Sequence, residues 1–200
     1  AEALPTAETP SITPAILRTD GSELTVPMGP LAGLDGDDDG VARMTEVVEA
    51  YELWIAERDV EVQELAGGYR ATALLHLEQC RAAVSRMRDG LDLLRADAVV
   101  ERAFGLANEA VLLQQLRTRT TPREVVIDGT GRYRIDEDLE VPDWRSAAGR
   151  GSWRPFQLAF MLMALPSVAD DRHPDRDLVE LIWFPTGGGK TEAYLGLSAF

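Results

Sequence analysis

The sequence predicts a mixed fold: an N-terminal helical domain followed by the beginning of an α/β lobe of phosphate-loop type, truncated at residue 200. Three observations predict it. Apolar residues recur at helical spacing between residues 41 and 120. A Gly-rich loop with a lysine follows a strand-like apolar run and precedes a second helical pattern. Between them, residues 121–150 carry the short alternating segments and turn residues of a β-hairpin and connector.

Residues 1–40, rich in Pro, Thr, Gly and Asp, read as a flexible acidic linker or tail ending in "GLDGDDDG". The aspartates lack the spacing and terminal glutamate of a calcium loop, so a solvated acidic stretch is expected. Met44, Val47, Val48, Tyr51, Trp54, Ile55 and Val62 then fall on one side of an amphipathic helix that Gly67-Gly68 stops. Leu77, Cys80, Val84, Met87, Leu91 and Leu94 alternate spacings of three and four, the pattern of a helix-packing seam. Val100, Phe104, Ala107, Val111 and Leu112 mark a third helix, and the three are expected to form a helical bundle. "REVVIDGTGRYRIDED" predicts two short strands around Asp128-Gly129-Thr130-Gly131, and Asp170–Pro174 a loop before a terminal strand, Leu178–Phe184.

The site-bearing stretch is residues 151–200. In "WFPTGGGKTEAYLGL" the glycines Gly187, Gly188 and Gly189 let the backbone wrap closely and turn its N–H groups inward, and the next helix adds its positive dipole end. Such a cradle suits a polyphosphate. Lys190 is the candidate catalytic residue, bringing a point charge to the terminal phosphates, and the Thr191 hydroxyl is the candidate magnesium ligand. The expected cofactors are ATP and Mg2+. Upstream, Pro155 suits the first turn of a helix, and Arg154 and Gln157, three apart, project from that end. A glutamine amide can donate to and accept from the edge of adenine while a guanidinium stacks on its ring.

Pro185-Thr186-Gly187-Gly188-Gly189-Lys190-Thr191 resembles motif I, the Walker A loop, of superfamily 2 helicases, written A-x-T-G-x-G-K-T, with Phe184 in place of its alanine. Arg154-x-x-Gln157 resembles the adenine-reading motif that precedes it. "RPFQLAF" from Arg154, "LIWFPTGGGKTEAYLGL" from Leu181 and "AFGLANEAVLLQ" from Ala103 together resemble the DrmA family of helicase subunits in bacterial DISARM antiphage systems. That resemblance implies a RecA-like helicase lobe, a cytoplasmic ATPase acting on DNA, and a second, DrmB-like subunit. The acidic residue that positions water in such enzymes belongs to a D-E-x-H type strand, and after Lys190 the only acid is Glu192. The chain is therefore expected to be the N-terminal portion of a longer protein, cut inside its first lobe and inactive alone.

Composition narrows the remaining choices. With 45% hydrophobic residues the chain can build a core. A single cysteine, Cys80, offers no internal disulfide, and no secretion signal or bilayer-length apolar run is visible. The cytoplasm is expected. His76 and His173 have no second ligand at metal spacing. The net charge of −14 concentrates in residues 35–39 and 46–64, so DNA contacts are expected mostly outside this chain. Two functions stay open: a DNA helicase or translocase, and a phosphate-loop ATPase that serves as a nucleotide-dependent switch or scaffold.

Overall fold

A computed structural model describes residues 15–34, 36, 39–117, 124–135, 143–146, 150–182 and 189–200. Strand β1 (Val26–Pro27) leads directly into a one-turn helix, α1 (Met28–Leu31). Leu24, Val26, Met28 and Leu31 are all buried, so part of a stretch whose composition suggests a linker is anchored in the core.

Helix α2 (Gly40–Val62) begins where the aspartate run ends. The Asp39 carboxylate accepts from the backbone N–H groups of Val41 and Ala42 at 3.0 and 3.1 Å, a cap worth about 1 kcal/mol. Met44, Val47, Val48, Ile55 and Val62 face inward as their spacing predicts. Trp54 departs from that stripe and is 43% exposed. It stacks on Tyr51 at 5.7 Å and carries the Arg58 guanidinium over its ring, so its apolar body is covered by neighbours on its own helix.

Helix α3 (Gly67–Ala96) buries Leu77, Val84, Met87, Leu91 and Leu94, while Cys80 is half-buried beside Tyr51. Burial and the hydrogen bond with Cys80 push the Tyr51 hydroxyl pKa well up. Salt bridges join α2 to α3: Arg88 holds Glu52 through two bonds, and Arg81 holds Asp59. Arg88 keeps the Glu52 carboxyl below its usual range, and Arg18 does the same for Glu46.

Helix α4 (Ala98–Arg117) follows with Phe104, Ala107, Asn108, Val111 and Leu112 buried. Strands β2 (Val125–Ile127) and β3 (Tyr133–Ile135) form the expected hairpin, with Asp128 accepting from the backbone N–H groups of Thr130 and Arg132 across the turn. Strand β4 (Ser152–Trp153) pairs antiparallel with β1, Val26 opposite Trp153, and runs into helix α5 (Pro155–Ala169). Helix α6 (Lys190–Ala199) completes the described chain.

The described residues are mostly helical, with six α-helices and two small two-stranded sheets, and no parallel RecA-like sheet lies among them. The strand expected at Leu178–Phe184 is corrected over its described part: Leu178–Ile182 is not a strand, and Val179 and Leu181 are 89% and 84% exposed. A strand gains its stability from a neighbour's ladder of hydrogen bonds, and no described strand lies alongside. Trp183 and Phe184 lie outside the described residues.

Helix α5 is apolar on nearly every side and packs most extensively on α3, then on α6. Gly90 permits the closest approach: a Cβ there would stand 2.2 Å from the Leu162 carbonyl oxygen. Gly90→Ala should therefore force α3 and α5 apart and destabilise the fold by about 1–3 kcal/mol in urea unfolding. Gly67→Ala, in open space at the start of the same helix, should be neutral or stabilising by less than about 1 kcal/mol. Equal effects at the two positions would show that the close contact is unimportant.

Candidate nucleotide site

The start of α5 and the start of α6 meet at one place. Arg154 is the N-cap of α5 and Pro155 its first residue, where a missing N–H costs nothing. Gln157, in the same turn, is 4% exposed. Its Oε1 accepts from the Arg154 backbone N–H at 2.8 Å, and its Nε2 donates to the Gly189 carbonyl at 2.5 Å. One amide therefore ties the helix start to the last glycine of the Gly-rich loop. A carboxamide has two hydrogens and two lone pairs, so one of each is left over.

Gly189 is the N-cap of α6 in the left-handed region, at φ 87°. A Cβ at this position would also stand 2.7 Å from Gln157 Nε2, so both its backbone and its surroundings select glycine. Lys190 and Thr191 are the first two residues of α6, half-buried and exposed respectively, at the positive end of the helix dipole. Glu192 completes that first turn.

A cleft of about 390 Å³ opens at this junction, within the size range of ligand pockets. Arg154, Gln157 and Gly189 line it, joined by Gln114 and Gln115 of α4, Arg150, Ser152 and Glu192. The structure thus brings together three of the residues singled out from sequence. Lys190 and Thr191 adjoin the cleft through Gly189 without lining it. Thr186, Gly187 and Gly188 lie outside the described residues. A larger cleft, about 530 Å³, lies among α1, α2 and α4 and shares no lining residue with this one.

Several residues at this junction escape sequence reasoning. Gln114 and Gln115 sit at the end of a helix whose apolar stripe points to packing alone, and Arg150 precedes the motif. Asn108 is the one with a readable signal: it falls four residues after Phe104, among apolar residues of the same stripe, and a polar side chain there needs partners. His173, by contrast, accepts a backbone hydrogen bond from Asp175 at its Nδ1. Among the described residues no group of His, Cys, Asp and Glu could hold a metal ion, and no helix is long and apolar enough to cross a membrane.

No protein-family model matches the chain. The DISARM protein DrmA of Bacillus paralicheniformis is 32% identical over 169 residues, a match that covers 84% of this chain and 14% of that relative's length. The chain thus spans about one-seventh of the length of the relative it matches. Over that shared stretch, the chain is a homologue of the DISARM protein DrmA.

Proposed function

We propose that this chain carries the first nucleotide-binding elements of an ATP-dependent superfamily 2 DNA helicase or translocase in DISARM-type antiphage defence. The observation that supports it most is the bond from Gln157 Nε2 to the Gly189 carbonyl. It joins, at one cleft, the helix start with an adenine-reading pattern and the glycine that opens the Lys190 helix. Chance Gly-rich turns have no reason to meet such a partner.

In this reading each residue has a separate task. ATP with Mg2+ supplies a phosphoanhydride whose cleavage spreads negative charge over the transferred group. Lys190 brings a positive charge to the terminal phosphates, beside the N–H groups at the start of α6. The Thr191 hydroxyl ligates the metal, and Thr186, Gly187 and Gly188 complete the cradle. Gln157 offers its remaining hydrogen and lone pair to the adenine edge, and Arg154 stacks on the ring. DNA, a DrmB-like subunit and a cytoplasmic setting belong to the same proposal, with most DNA contacts outside these residues.

In the intact protein, ATP hydrolysis should rise when single-stranded or duplex DNA is added, because bound nucleic acid favours the closed catalytic arrangement. Lys190→Ala should abolish that turnover without lowering the melting temperature. Turnover indifferent to both DNA forms at low and moderate salt, yet raised by a protein partner, would favour a regulatory switch over a translocase. Wild-type turnover in a well-folded Lys190→Ala protein would remove the nucleotide assignment itself.

Gln157→Ala should weaken ATP more than GTP in nucleotide competition, since the amide complements the N6–H and N7 edge of adenine, where guanine presents two acceptors, O6 and N7. An equal loss for both would assign Gln157 to the fold alone.

A further inference from the structure

The nucleotide reading leaves the carboxamides of α4 unused, and two of them, Asn108 and Gln115, bond to the segment before Arg154. Asn108 is 1% exposed, and its Oδ1 accepts from Trp153 Nε1 at 2.6 Å while its Nδ2 donates to the Phe104 carbonyl at 2.8 Å. Gln115, about two turns further on and therefore on the same face, accepts at Oε1 from the Gly151 backbone N–H at 3.0 Å. Both bonds end on the short segment Gly151–Trp153 that runs directly into Arg154. Helix formation in α4 requires neither, since apolar neighbours fill the rest of this stripe.

Trp153 extends the connection to the phosphate-loop side. Its six-membered ring lies 2.9 Å from where a Cβ would stand at Gly196 of α6, with Met161 Sδ at 2.8 Å from the same point. The indole thus meets α4 through its N–H and α6 through its far edge. The segment cannot slide along α4 without breaking directional hydrogen bonds, and it cannot rotate without driving the ring into α6.

We infer that Asn108 and Gln115 are positioning residues for base recognition, setting the height and rotation of Gly151–Trp153 and hence the placement of Arg154 and Gln157 against Gly189. This rests on the nucleotide reading above. A two-point contact with a base edge tolerates little misplacement, whereas a point charge on a phosphate tolerates more. Loss of either hydrogen bond therefore acts on the choice between ATP and GTP more than on phosphate affinity.

The test uses the intact protein, with dissociation constants for ATP and GTP and urea unfolding measured for Trp153→Phe and Gln115→Met. Trp153→Phe removes the N–H donor together with the outer edge of the indole against Gly196, a packing loss that the urea unfolding reads; Gln115→Met keeps length and removes the acceptor. Each should weaken ATP by about tenfold, with GTP changed much less, so the preference for ATP shrinks. Should Trp153→Phe fail to fold, Gln115→Met decides alone. A folded variant with the preference intact, or with ATP and GTP weakened equally, overturns the inference. If Lys190→Ala still abolishes binding of both nucleotides, that failure leaves the nucleotide reading standing. A wild-type protein that binds neither nucleotide overturns both.

Discussion

Helix α5 has almost no face it can show to water, and this one constraint arranges its neighbours. Leu158, Leu162 and Leu165 are fully buried, each worth about 1.5–3 kcal/mol of transfer free energy. Helix α3 supplies one wall, at a distance that Gly90 sets, and α6 covers another, at a distance that Gly196 sets. The N-terminal end opens onto the cleft, and a second cavity of about 470 Å³ runs along Phe156, Ala159 and Met163. A helix start carries unpaired backbone donors, so polar side chains gather where the apolar rod ends. Arg154 and Gln157 belong to that end and line the cleft that opens there.

Local features of the fold were legible in the sequence and long-range ones were not. The stripes of α2, α3 and α4 show in single-residue spacing, and the Pro155 helix start and the Asp128 turn show in one or two residues. The pairing of Val26 with Trp153 leaves no such trace, because it joins segments far apart in the chain. Leu178–Ile182 has a strand's composition, yet composition cannot supply the neighbour a strand requires. At the site, Gln157 and Gly189 stood out through spacing. The α4 wall of the cleft did not, since Gln114 and Gln115 become part of it only through tertiary packing.

The acidity of the chain is distributed to the same effect. Carboxylates of α2 lie against arginines: Glu52 on Arg88, Asp59 on Arg81 and Glu46 on Arg18. Glu180 and Asp175 share Arg86 from α3, which also donates to the Met163 carbonyl of α5. Around the cleft the balance reverses, with Arg150 and Arg154 against Glu192. A net charge of −14 therefore says little about the potential an anion would meet there.

The antiparallel pairing of β1 with β4 has a consequence for the timing of biosynthesis. Val26 leaves the ribosome on the order of ten seconds before Trp153 does, at translation rates of about 5–20 residues per second. Helices α2, α3 and α4 can form by local contacts in that interval, but β1 has no partner and the core has no α5. Closure waits until α5 is made and the earliest described segment docks beside it. The cleft thus assembles only once α5 and α6 have been made, and a chain interrupted before them displays none of it.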